Sequence, residues 1–155
     1  MDERLDIIYL TREQVLDTYS KTIDFSGGGS KETIHLELLD GILNFVQSDY
    51  YPSFEDKLTY LIYSVNRNHI FADGNKRLSI TVGALFMLLN GYMSFVGRYM
   101  AEMENISYHL AAGSIEKDLL GKVIHSILEG EQEFDEDLKM QILEAIGGCE
   151  IGFVE

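Results

Sequence analysis

An all-α helical bundle is the fold class the sequence predicts, and three observations predict it. Apolar residues recur at spacings of three and four along most of the chain, and a single proline is present to interrupt helices. One segment starting near Lys76 is apolar almost all round from Ile80 onward, as a helix in the middle of a bundle is. With 155 residues, 46% of them apolar and 25% charged, the chain has the size and composition of one ordinary globular domain. A domain of that size buries roughly 70% of its unfolded surface and needs no disulfide or metal staple. The one cysteine, Cys149, excludes a disulfide framework and any Cys-cluster zinc site.

The elements follow in order. Thr11-Arg-Glu-Gln14 fits a capping box, and the helix after it carries Val15, Leu16, Tyr19 and Ile23 on one stripe. Phe25-Ser-Gly-Gly-Gly-Ser30 breaks that pattern. A second helix carries Ile34, Leu38, Leu39, Ile42, Leu43 and Val46. Pro52 ends that region, and Ser53 caps a third helix with Phe54, Leu58, Leu61, Ile62 and Val65 inward. The apolar helix spans about 76–89 and stops at Asn90-Gly91, two residues that tolerate the left-handed conformation. Next come a helix with Tyr99, Met103, Ile106 and Leu110, and one capped by Ser114 with Ile115, Leu119, Leu120, Val123, Ile124, Ile127 and Leu128. An acidic helix over about 135–146 closes the chain with Leu138, Ile142 and Ile146. No repeat or low-complexity tract interrupts the series.

Charge narrows the function classes. A net charge of −14 argues against general nucleic-acid binding, which relies on lysine and arginine to release counterions. Half of that charge lies in residues 130–155, whereas Lys57, Arg67, Lys76, Arg77 and Arg98 face only Asp73 between residues 57 and 101. A basic middle in an acidic chain points to a local anion site. The longest apolar run, 81–89, is half the ~20 residues a membrane span needs. The acidic first residues are unlike a secretory leader, so no membrane contact and a cytoplasmic location are expected.

The chemistry concentrates in Arg67-Asn-His-Ile-Phe-Ala-Asp-Gly-Asn-Lys-Arg77. Gly74 and Asn75 supply a turn and cap, which aims the unpaired N–H groups and positive dipole end of the apolar helix out of the loop. Lys76 and Arg77 add two charges there, as suits a phosphate. Asp73 is the carboxylate beside it that could hold a divalent cation. His69 is the one side chain of the loop able to take a proton near neutral pH. Phe71 is expected to pack inward. Taken singly, each residue also reads as ordinary surface: His69 as a solvated loop histidine, Asp73-Gly74 as a turn. Gly27-Gly-Gly-Ser-Lys31 lacks the order of a P-loop. No carboxylate at ligand spacing is assigned to His35, His109 or His125, and Cys149 has no basic neighbour.

The nine residues His69-Ile-Phe-Ala-Asp-Gly-Asn-Lys-Arg77 resemble the signature of the Fic/Doc (Fido) superfamily, His-x-Phe-x-Asp/Glu-Gly-Asn-x-Arg. They come closest to its Doc (death-on-curing) branch, which has Asn-Lys-Arg. The resemblance covers about residues 8–129 and implies a Fido domain over 1–129, followed by an acidic helix or tail over 130–155. It implies an enzyme that moves part of ATP onto a hydroxyl of a target protein. His69 would be the general base, Asp73 the Mg²⁺ holder, and Gly74, Asn75, Lys76 and Arg77 the phosphate-binding group, with Arg67 a further phosphate contact. It also implies a flap before the third helix, at residues 24–31 together with 49–53, that aligns the target by strand addition.

Doc-like toxins act on the translation machinery and are restrained by an antitoxin that docks a helix onto the bundle. Some family members silence themselves through Ser/Thr-x-x-x-Glu-Gly/Asn. Here Thr33 precedes Glu37-Leu38, and Glu129-Gly130 has His125 in place of the hydroxyl, so a separate partner is expected instead. Lys76 stands where AMP-transferring members usually have a second glycine, which favours γ-phosphate transfer. AMP transfer and a non-catalytic nucleotide- or protein-binding module are the alternatives.

Overall fold

Thr11 opens the first helix through the capping box that the sequence predicts. Its hydroxyl accepts from Gln14 N–H at 3.1 Å, and the Gln14 side chain accepts from Thr11 N–H at 2.9 Å. The computed structural model describes residues 6–27 and 35–150, and every regular element among them is an α-helix. These are α1 (Arg12–Phe25), α2 (Leu36–Phe45), α3 (Phe54–Arg67), α4 (Asn75–Leu89), α5 (Met93–Ala111), α6 (Lys117–Leu128) and α7 (Glu136–Glu150). None is long and apolar enough to cross a membrane. Val15, Tyr19 and Ile23 of α1 are buried as their spacing predicts, and Ser53 caps α3 by accepting from Asp56 N–H at 3.0 Å.

The apolar helix α4 lies at the centre, packed on α3, α5 and α1. Gly83 lets it approach α5. A methyl group at that position would sit 2.1 Å from the Tyr99 hydroxyl and 3.0 Å from Ile62 Cγ1. Tyr99 is fully buried, and its hydroxyl donates to Ile80 C=O at 3.0 Å. That desolvation holds the phenol far above its ordinary pKa.

Four details depart from the sequence reading. Helix α4 begins at Asn75 rather than Lys76, with Gly74 as its N-cap. At its far end only Gly91 is left-handed, at φ 89°. Asn90 instead works through its side chain, which exchanges hydrogen bonds with both backbone groups of Ile8 at 2.8 and 2.9 Å and donates to Phe86 C=O. Ser114 does not cap α6. The N-cap is Glu116, because buried Ile115 must first enter the core. Asp24 and Phe25, assigned to a flap, complete α1, and 49–53 form the short α2–α3 connection. The rest of the proposed flap, and Ile34, lie outside the described residues except for Ser26 and Gly27, which form a turn.

The acidic C-terminal helix folds onto α6. Asp135 accepts from Leu138 N–H at 2.8 Å, Leu138 enters the core, and Ile142 and Ile146 pack half-buried against it. Arg98 of α5 fastens the approach to α7 by bonding Glu131 C=O and lying over the Phe134 ring at 4.8 Å.

Candidate active site

Between α3 and α4 the chain makes a tight excursion that carries the predicted residues. Asn68 ends α3, and His69 takes a left-handed conformation at φ 47°, the place where helices ordinarily use glycine. Such a conformation costs a non-glycine residue about 1–3 kcal/mol, although histidine is among the side chains enriched there. The turn leaves the His69 side chain exposed and drops Ile70 and Phe71 into the core, at 0% and 1% exposure. Among the described residues the imidazole has no hydrogen-bond partner, so it is open to an incoming group. The Ile70 carbonyl accepts from His35 N–H at 3.0 Å, which joins the residue ahead of α2 to the loop.

Three contacts hold the excursion. Phe71 stacks on Tyr19 of α1 with ring centroids 3.8 Å apart, and the Tyr19 hydroxyl donates to Asp73 C=O at 2.7 Å. Burial, with the Asp73 charge second, raises the Tyr19 pKa and keeps that hydroxyl a donor. Asn75 closes the turn on itself, donating to Phe71 C=O at 2.9 Å and accepting from Phe71 N–H at 3.2 Å. Its side chain is therefore engaged in shaping the loop, and what it can offer an anion is its backbone N–H. Gly74 is left-handed at φ 82°, and an added methyl would meet Ile23 Cδ1 at 2.7 Å. Only glycine satisfies both conditions without strain.

No side chain caps α4, so its first N–H groups face outward with the positive end of the dipole. Lys76 and Arg77 are exposed on that same turn, and among the described residues neither pairs with a carboxylate. Two cations at a helix N-terminus oppose its dipole unless an anion joins them. The Asp73 carboxylate accepts from Gly74 N–H through Oδ1 at 2.8 Å and is otherwise exposed, with Oδ2 open. That suits Mg²⁺, which takes one or two carboxylates and completes its shell with waters and phosphate oxygens.

The other cations of the basic middle are structural. Lys57 is 4% exposed and donates to Val46 and Ser48 carbonyls at 2.8 and 3.0 Å, where it terminates α2. Arg98 serves the α7 connection, with Glu102 at 3.3 Å. Arg67, assigned to phosphate, directs its guanidinium to the Tyr63 hydroxyl at 3.3 Å and to Glu116 at 3.5 Å, at the start of α6. The local anion site thus reduces to Lys76, Arg77 and the α4 N-terminus. Tyr19 and Ile23, which complete it, have no signal in the sequence beyond an inward stripe.

Arg77 also borders a cavity of about 850 Å³ between α1, α4 and α5, lined by Thr18, Thr22, Phe25, Ile80, Leu85 and Met100 among others. Phe25 is 95% exposed beside it. The cavity wall is mostly apolar, with Lys21, Asp17 and Glu104 at its margin.

Comparison with known proteins shows the family of the chain. A family model described as the Fic/DOC family matches residues 9–87, which include the loop, α1 and most of α4. A curated relative, "Toxin Doc" of Mycolicibacterium smegmatis, is 35% identical over 88 residues, 54% of this chain. The chain spans 65% of that relative's length. No solved structure gives a significant match.

Proposed function

The chain belongs to the Fic/DOC family, and from that premise we propose a Doc-like protein-modifying toxin that transfers the γ-phosphate of ATP to a hydroxyl of a target protein. One observation carries the reading. An exposed histidine, unpartnered among the described residues, stands at one end of a tight loop whose other end is a helix N-terminus without a side-chain cap, bearing Lys76 and Arg77. Phosphoryl transfer demands little beyond such positioning and charge neutralisation.

In this reading His69 accepts the proton of the target serine, threonine or tyrosine as its oxygen bonds to the γ-phosphorus. The bond from that phosphorus to the β–γ bridging oxygen breaks, and ADP leaves with the electron pair. The backbone N–H groups of Asn75, Lys76 and Arg77, with the two cationic side chains, bind the phosphates and balance the charge on the transferred group. Mg²⁺, when bound at Asp73, supplies further charge neutralisation of the nucleotide. Lys76 is the residue that favours γ-transfer, since its side chain fills space that AMP transfer leaves to the phosphates. The expected target class is the translation machinery. The mostly apolar cavity beside Arg77 has the character of a surface that receives an amphipathic helix, such as that of an antitoxin.

The test uses ATP labelled at the α or the γ position with a cell lysate as substrate. Label should reach protein from the γ position only, and His69→Ala should abolish it. Label from the α position alone would replace the kinase reading with AMP transfer. Labelling from neither position, together with normal growth of cells expressing the chain, would leave the non-catalytic binding module.

A further inference from the structure

A second cavity, of about 640 Å³, opens between α3, α6 and α7 and shares no residue with the His69–Arg77 loop. Glu55 and His125 line it. We propose that Glu55, His125 and Glu129 form a binding site for a divalent transition-metal ion of the Zn²⁺ type. This site is independent of the activity proposed above.

The placement follows from helix geometry. His125 and Glu129 are four residues apart at the end of α6, with Glu129 its C-cap, so they stand on one face. Glu55, in the first turn of α3, reaches them from across the interface: its Oε1 lies 2.8 Å from His125 Nδ1. One ligand atom from each of the three side chains falls within 4.8 Å of the others. Donors bound to zinc at about 2.0–2.2 Å lie roughly 3–4 Å from one another, so small side-chain rotations close the set. The sequence reading assigned His125 no carboxylate at ligand spacing; the fold supplies Glu55, and Glu129 was one helical turn away.

The donor set selects the ion. An imidazole nitrogen with two carboxylate oxygens suits zinc and its neighbours better than Mg²⁺ or Ca²⁺, which prefer oxygen alone. Three protein ligands leave the fourth position to water, which the adjoining cavity admits. Apart from the Glu55–His125 pair, the two carboxylates have no cationic partner among the described residues. Among the described residues no lysine or arginine pairs with Glu55 or Glu129; Lys122 is held by Gln141 at 2.8 Å and Lys139 by Glu133 and Glu136. Glu129 adds its charge at the carbonyl end of α6, where the dipole already disfavours an anion, and Glu131 lies two residues on. A bound cation would fasten the start of α3 to the end of α6, just before the chain turns toward α7.

The experiment titrates the full chain, stripped with a chelator, with ZnCl₂ by calorimetry and by thermal unfolding, and with MgCl₂ in parallel. Zinc should bind one to one and raise Tm, and Mg²⁺ should not reproduce that rise. Glu129→Gln, an exposed change outside the Glu55–His125 ion pair, should keep the metal-free Tm and weaken zinc binding at least about tenfold, and Glu55→Gln should weaken that binding as much. His109→Ala should leave binding intact. An absent zinc response, wild-type affinity in Glu129→Gln, or loss of binding in His109→Ala would overturn the site.

Discussion

One hydroxyl, that of Tyr19, reaches across 54 residues of sequence to hold the carbonyl of Asp73 at 2.7 Å. Tyr19→Phe keeps the ring stack on Phe71 and removes the bond to Asp73 C=O, so equilibrium urea unfolding should register a loss of at least about 0.5–1.5 kcal/mol. In the proposed transfer reaction, turnover should fall further than that loss accounts for, because the Asp73 side chain is then less firmly aimed. Wild-type turnover in a correctly destabilised variant would remove Tyr19 from the positioning of the site. The residues of the loop itself were legible because a base, a carboxylate, a glycine turn and two cations lie within nine positions. Their arrangement was not. Nothing local announces that His69 adopts φ 47°, that Asn75 is occupied with Phe71, or that Arg67 turns toward Glu116. Those choices are made by packing partners distant in sequence.

At the scale of elements, α4 and α5 meet where one side chain is missing. Gly83→Ala should destabilise the protein by about 1–3 kcal/mol or more, since neither the buried Tyr99 ring nor the α4 backbone has room to yield. Thermal unfolding of a double-mutant cycle with Tyr99→Phe provides the check. Removing the hydroxyl should recover part of the loss, and strictly additive effects would refute the clash. A different force joins α1 to α2. Arg12 grips Asp40 with two hydrogen bonds, one of 2.9 Å from Nε to Oδ1, and holds its carboxyl below the usual range, chiefly by that hydrogen bonding. A carboxyl depressed in the folded state stabilises above its unfolded pKa near 4, and that stability is lost as pH falls through the folded value. The Tm gap between wild type and Asp40→Asn should be present, though small at an exposed pair, at pH 6 and should close well below pH 4. A gap unchanged by acid would show that the pair does not contribute. Helix identities were legible from periodicity. The cap at Gly74 was legible as a turn, but the one at Glu116 was not, because it is set by the burial of Ile115 next to it.

Over the whole molecule, the acidic C-terminal helix and the basic loop rest on different helices. The acidic C-terminal helix packs on α6, whereas α1 and α4 pack on each other and together support the loop. The loop is tied down at several points: Phe71 is buried, Phe71 N–H and Leu78 N–H are both bonded, and the Tyr19 hydroxyl ties the turn to α1. The consequence concerns entropy. A loop already ordered loses little freedom on binding, so the amides of Phe71 and Leu78 should exchange with solvent deuterium only when the entire protein opens. Their denaturant dependence should match that of the slowest core amides. Adding ATP with Mg²⁺ should slow them no more than it slows the core. Rapid exchange that ATP selectively suppresses would instead identify a loop that its ligand must fold.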